Sequence, residues 1–232
     1  MKTIGFFGDS YCAINDDSSR FNEDYSWLTT YISLVSKKYD LEVVNLGKPG
    51  SSIYDCLLLQ FGPFLKRNML PDICVFAWTD PNRLFHRTIR NINFGTTKMS
   101  NHLENEWQAA SQYYKYLHDN EVAELQYLSV LRYYDDTVFS NLVDKTKIIH
   151  IWGFGKIQKP PKDESKPVDP STISYLHRWK HGVEIRPAWS TLSRTFYDTA
   201  PNHIGTQEKN NVACEWISTA IDNYENGKLL EF

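Results

Sequence analysis

The sequence has no long hydrophobic run. Stretches such as ICVFAW, Ile73 to Trp78, are far too short to cross a bilayer, and MKTIGFFGDS meets charge and glycine before a secretory apolar core forms. No membrane partner is expected, and the expected location is the cytoplasm. Charge of one sign is also missing: 25 basic residues face 28 acidic ones, for a net charge of −3. The basic residues are scattered rather than striped along one face, so nucleic acid is not an expected partner. Cysteine is sparse. Cys12, Cys56, Cys74 and Cys214 lie far apart, with no CxxC pair and no histidine at zinc-ligand spacing, so reduced core thiols are expected and no metal. Repeats, low-complexity tracts and linkers are absent as well.

What is present suits one globular domain over residues 1–232, at 41% hydrophobic and 23% charged. Aromatics reach 14%, with 14 tyrosines and 7 tryptophans. That abundance fits either a tyrosine-rich surface or a pocket with aromatic walls.

TIGFF reads as a buried strand, and Tyr25 to Lys38 as an amphipathic helix with apolar residues at i, i+3, i+4 and i+7. LEVVNLG is a second strand, KPGSS a turn, and SIYDCLLLQFGPFLK a helix capped by Ser51 or Ser52. DICVFAW is a third strand, apolar enough to be buried on both faces. Strand, helix, strand, helix, strand in this order predicts a parallel sheet with right-handed crossovers, an α/β fold. Residues 101–142 read as helical with a break near Asp119-Asn120, and KIIHIWGF as a fourth strand. The proline-rich stretch 156–187 reads as an excursion over the surface, and a closing helix turns Val212, Ala213, Trp216, Ile217, Ala220 and Ile221 inward.

In a parallel α/β sheet, ligands sit beyond the carboxyl ends of the strands. Strand one delivers Gly8, Asp9, Ser10 and Tyr11 there; strand two delivers Asn45, Gly47 and Gly50; strand three delivers Trp78, Thr79, Asp80, Asn82 and Arg83; strand four delivers Trp152 and Gly153. The last loop adds Asp198, Asn202 and His203. These are the parts of acyl transfer: a serine hydroxyl needs a histidine to take its proton, and the oxyanion needs fixed N–H donors. Ser10 is the candidate nucleophile, His203 the base, and the Ser10 and Gly50 N–H groups are candidate oxyanion donors. Asp9, Tyr11, Trp78 and Arg83 are candidate substrate contacts; for Arg83, pairing with Asp80 in its own loop is an equal alternative. His150 inside its strand reads as structural, and His86, His102, His118, His177 and His181 as surface or loop residues.

GFFGDSY, NLGKPGSS, the loop after VFAW and the late histidine of HIGTQEKNNVA resemble, in order, the four blocks of the SGNH or GDSL hydrolases. The resemblance spans nearly the whole chain. It implies a flavodoxin-like three-layer α/β/α sandwich, Ser10 as nucleophile, Gly50 as oxyanion donor and His203 as base. Two positions depart from the family pattern. Asp80 stands where the family has the asparagine of GxND, leaving Asn82 or Thr79 as the replacement donor. Ala200 stands where DxxH has its acid, leaving Asp198, five residues before His203, or a backbone carbonyl to orient the imidazole. The WTDPNR form resembles a divergent, viral branch of the family, for which a virion-associated location is the alternative.

The expected activity is hydrolysis of a small acyl ester, such as an acetyl ester, on a small molecule or carbohydrate, without a cofactor. A second reading is a silent relative that binds a carbohydrate or protein through the same cleft, rimmed by Tyr11, Trp78, Trp152 and Trp179. A third, a nucleotide-binding module, would use Gly8 to Ser10 as an anion site and leaves His203 without a role.

Overall fold

The computed structural model describes residues 1–12, 30–87, 92, 97, 105–153, 156–157, 173–174, 177–185, 204 and 206–225. At its centre is a five-stranded sheet. β1 (Thr3–Gly8) pairs in parallel with β2 (Glu42–Asn45) on one side and with β3 (Ile73–Trp78) on the other. β3 in turn pairs in parallel with β4 (Lys147–Trp152), and β4 with the last strand of the sheet, Val183–Ile185. Numbered along the sheet-forming strands alone, the order is 2-1-3-4-5, the doubly wound arrangement also found in flavodoxin. The topological switch therefore falls at β1 and β3, and the crevice beyond their carboxyl ends is where ligands bind in such sheets.

The period-2 alternation of the strands divides the core into two layers. Ile4, Phe6, Ile73, Val75, Ala77, Ile149 and Ile151 face helix α1 (Tyr31–Tyr39) and the C-terminal helix, Gln207–Glu225. Phe7, Cys74, Phe76, Trp78, Ile148 and Trp152 face the opposite layer, which contains the helical segment after β2 and the helices between β3 and β4. The result is a three-layer α/β/α sandwich. β1, β3 and β4 read as continuous apolar runs because both of their faces are covered.

α1 begins at Tyr31, where the Thr30 hydroxyl accepts from the Ser33 N–H; the first residues of the expected helix, 25–29, lie outside the described residues. The helix after β2 is not regular. Ser52 caps it, with Ser52 Oγ accepting from the Asp55 N–H at 3.3 Å and Asp55 Oδ2 accepting from the Ser52 N–H at 2.9 Å. From Asp55 to Phe61 it then widens into a π-helical segment before continuing as α2 (Gly62–Arg67). Pro63 has no N–H to offer the carbonyl four residues before it, and the Gly62 N–H reaches back five residues to Leu57 O. α3 (Asn105–Tyr116) and α4 (Asn120–Tyr133) are separated at the expected break, where Asp119 Oδ1 accepts from the N–H groups of Glu121 and Val122.

The stretch 156–187 is more than a surface excursion. It contains β5 (Lys156–Ile157) and β6 (Ile173–Ser174), paired antiparallel, and then β7, the Val183–Ile185 strand at the sheet edge, with Val183 and Ile185 buried. In α5, the Gln207–Glu225 helix, Ala213, Ile217, Ala220 and Ile221 are buried as expected, whereas Val212 and Trp216 are only partly covered. Among the described residues no helix is long and apolar enough to cross a membrane.

Candidate active site

β1 ends in Gly8 with φ 151°, a conformation that L-residues with a side chain rarely adopt, and a Cβ there would lie 2.5 Å from Ala77 O on β3. The strand therefore closes against its neighbour and turns at once. Asp9 to Cys12 form a tight turn in which the Cys12 N–H donates to Asp9 O at 3.0 Å and the Tyr11 N–H to Asp9 Oδ1 at 3.0 Å. Ser10 occupies this turn at the carboxyl end of β1 and is buried, with 7% of its surface accessible.

The second turn follows β2. The Lys48 N–H donates to Gly8 O at 3.1 Å and the Ser51 N–H to Lys48 O at 3.2 Å, so the 48–51 turn lies directly against the end of β1. Gly50 is buried in it with φ 75°, and among the described residues its N–H has no hydrogen-bond partner. A buried, unsatisfied backbone donor is uncommon, because its desolvation is not repaid within the fold.

The third turn follows β3. Thr79 Oγ1 donates to Asp9 Oδ2 at 3.1 Å, while Tyr127 on α4 donates its hydroxyl to Thr79 O at 2.7 Å. Asp80 Oδ1 accepts from both the N–H and Nδ2 of Asn82, at 2.7 and 3.0 Å, and so is engaged within its own loop. Asn82 Oδ1 faces His118 Nε2 at 3.2 Å. Thr79, Asp80 and Asn82 thus stand in the expected loop, with the Asn82 amide held from both ends.

Four expected substrate contacts are placed differently. Asp9 is fully buried and its Oδ2 lies 3.2 Å from Arg83 Nη1, so the Arg83 guanidinium pairs with Asp9, while the Arg83 N–H donates to Asp80 O at 3.3 Å. The Asp9 carboxylate is fully enclosed and committed to this pair, while the Arg83 side chain is 11% exposed. Tyr11, 2% exposed, packs in the α1 layer, and Tyr31 donates its hydroxyl to Tyr11 O at 2.8 Å. Trp78, 1% exposed, points into the opposite layer because it shares a strand face with Cys74 and Phe76. Trp152 is buried in that layer too and donates from Nε1 to Glu184 Oε1 at 3.0 Å. Trp179 stacks between Trp78, at 4.7 Å, and His150, at 3.8 Å. Three residues of the expected aromatic rim, Tyr11, Trp78 and Trp152, are therefore core, and Trp179 is half-buried against them.

His150 is structural. Trp78 Nε1, a donor only, gives its proton to His150 Nδ1 at 3.2 Å, which leaves Nε2 as the protonated nitrogen donating to His181 O at 2.9 Å. Complete burial pushes its pKa down to about 3. His177 and His181 are not loose surface histidines. They flank the fully buried Asp135, His177 Nε2 at 2.9 Å and His181 Nδ1 at 3.1 Å, and the Lys180 and His181 N–H groups donate to the same carboxylate. Burial alone would raise Asp135, but the His177, Lys180 and His181 hydrogen bonds outweigh it and bring the carboxyl down to about 2. Cys12, Cys56 and Cys74 are buried free thiols and Cys214 a partly covered one; burial pushes Cys12 up to about 12, so it is no rival nucleophile beside Ser10.

His203, Asp198 and Asn202, together with His102, lie outside the described residues. The nearest described position to His203 is Ile204, which is buried and whose carbonyl oxygen accepts from Asn210 Nδ2 at 2.8 Å. Asn210 Oδ1 in turn accepts from the Tyr31 N–H at 2.9 Å, tying the start of α5 to α1. Among the described residues there is no group of histidine, cysteine, aspartate and glutamate able to hold a metal.

No protein-family model matches the chain, and no curated protein matches it in sequence. Among solved structures it is similar to the acetyl xylan esterase AlAXEase, at 13% identity over 96% of this chain and 74% of that one, with a TM-score of 0.33. It is also similar to a protein described as a "putative GDSL-like lipase" from Parabacteroides merdae ATCC 43184, at 12% identity over 93% of this chain and 96% of that one, with a TM-score of 0.43. At these TM-scores the likenesses stand as resemblances, and the site is read from this chain's own residues.

Proposed function

We propose that the chain is a serine hydrolase of the esterase type, a member of the SGNH or GDSL group, with Ser10 as nucleophile. The observation that carries this reading is the juxtaposition of two turns. Ser10 stands at the carboxyl end of β1, at the topological switch, and the turn packed against it contains a buried Gly50 N–H with no partner among the described residues. A free, fixed N–H beside a serine is what a tetrahedral oxyanion requires.

In the reaction, Ser10 Oγ bonds to the ester carbonyl carbon while His203 takes the hydroxyl proton, and the carbonyl π pair becomes the oxyanion held by the Ser10 and Gly50 N–H groups. Asn82 offers the second hydrogen of the amide whose first goes to Asp80. Collapse of the oxyanion breaks the bond to the leaving alcohol, which receives the proton from His203. Water then attacks the acyl-enzyme, passing a proton to His203, and releases the acid with Ser10 restored. Asp198 orients His203. The substrate is a small acyl ester, on a carbohydrate or another small alcohol.

Hydrolysis of 4-nitrophenyl acetate tests the reading. The wild type is expected to show a burst of nitrophenolate followed by turnover, and Ser10→Ala and His203→Ala to lose it. A folded wild type with no activity above the Ser10→Ala variant overturns the proposal.

A further inference from the structure

Two side chains outside the proposed chemistry, one buried and one largely covered, join the two turns that carry it. Gln60, 2% exposed, projects from the π-helical segment after β2. Its Oε1 accepts from the Gly8 N–H at 2.7 Å, and its Nε2 donates to Gly8 O at 2.9 Å and to Ser51 Oγ at 3.0 Å. One amide thus satisfies both backbone groups of the residue two before Ser10 and the side chain of the residue after Gly50. Arg83, from the turn after β3, makes the second link: its Nη1 donates to Ser51 O at 3.1 Å and lies 3.2 Å from Asp9 Oδ2.

We infer that Gln60 and Arg83 are positioning residues that fix the Gly50 N–H relative to the Ser10 N–H, so that both donors converge on one oxyanion. The inference rests on the hydrolase reading above. Each residue contacts the chain on both sides of the proposed hole, at Gly8 or Asp9 on one side and at Ser51 on the other, and neither needs to touch substrate. The two links come from different elements, one from the helix after β2 and one from the turn after β3, so the 48–51 turn is held by two independent attachments. The π-helical widening belongs to the same device. An insertion of one residue into the helical register rotates the side chains after it, and in this segment it accompanies a polar side chain turned into an otherwise apolar face, where Cys56, Leu57 and Phe61 pack. A buried amide in such surroundings is tolerated only when its hydrogen bonds are made, and here three are.

Oxyanion donors act only if they are held where the charge develops, and a displacement of about 1 Å costs about 100-fold in rate. Arg83→Lys keeps the positive charge but loses the guanidinium Nη1 that meets both Asp9 Oδ2 and Ser51 O; Gln60→Glu keeps the acceptor for Gly8 N–H and loses the donors to Gly8 O and Ser51 Oγ. The test measures kcat and KM for 4-nitrophenyl acetate, together with the inhibition constant of a small alkylboronic acid, a mimic of the tetrahedral adduct, on wild type, Arg83→Lys and Gln60→Glu. Thermal midpoints are recorded in parallel to confirm folding. The expected result is a fall in kcat of about 10- to 100-fold and a matching loss of boronate affinity, with KM within about 2-fold of wild type. An active wild type whose folded Arg83→Lys variant keeps kcat and boronate affinity overturns the positioning role, as does a rise in KM alone. A wild type that neither turns over ester nor binds boronate overturns the hydrolase reading itself.

Discussion

Lowering the pH from about 7 to about 5 should destabilise this protein through His150 alone, and the size of the effect follows from its surroundings. The ring is fully buried in β4, stacked on Trp179 at 3.8 Å, and both nitrogens are committed: Nδ1 accepts from Trp78 and Nε2 donates to His181 O. A second proton has no place to go without breaking the Trp78 hydrogen bond, and burial pushes the pKa down to about 3. The unfolded chain takes up that proton near the ordinary histidine value, so below about pH 6.5 the unfolded state binds more protons than the folded one and stability falls as pH falls. Between about pH 7 and about pH 5 the loss is about 2 kcal/mol, at about 1.4 kcal/mol for each pH unit traversed below the unfolded value. Urea unfolding followed by tryptophan fluorescence at the two pH values measures it, and His150→Gln, with an amide that can accept at one end and donate at the other, supplies the reference. The variant should be less stable than wild type at pH 7 but should lose about 2 kcal/mol less on acidification. Equal pH slopes for the two proteins would refute the assignment of a neutral, proton-excluding His150.

Two further outcomes follow from the packing. Gly8→Ala places a methyl group 2.5 Å from Ala77 O at φ 151°, and the strain and overlap together should cost about 3 kcal/mol in urea unfolding; a wild-type midpoint would contradict the close approach of β1 and β3. Trp179→Ala removes the ring that stacks on both Trp78 and His150 and should cost about 3 kcal/mol, while leaving KM for a small ester unchanged; a raised KM with normal stability would return these aromatics to the substrate cleft.

How much of this was legible in the sequence depends on how local the signal is. β1, β3 and β4 announce themselves because strands covered on both faces must be apolar at every position, and GFFGDSY marks the end of the first. The break at Asp119 was legible for the same reason, since a capping aspartate needs only the next three residues. β7 was not: three residues, VEI, carry no period, and its place in the sheet is set by pairing with β4. The π-helical segment was hidden inside a run that reads as ordinary helix, although the lone Gln60 among Leu57, Leu58, Leu59 and Phe61 was a signal, a polar residue where the helical period calls for core. Asp135 and its histidines could not be joined from sequence, because they stand 42 and 46 residues apart. Position at a strand end misled for Tyr11 and Trp78: it places the backbone near the crevice, but the alternation of the strand and the turn decides where the side chain goes. The same holds for Asp9, which the serine motif places beside the nucleophile and which the fold spends on Arg83, Thr79 and the turn's own backbone.

The central claim is that Ser10 is an activated nucleophile, and covalent capture tests it most directly. After incubation of the intact chain with a fluorophosphonate, peptide mass spectrometry should find one phosphonyl adduct, on Ser10, absent from Ser10→Ala and strongly slowed in His203→Ala. A folded wild type that takes up no adduct, or takes it up at another residue, would contradict the account.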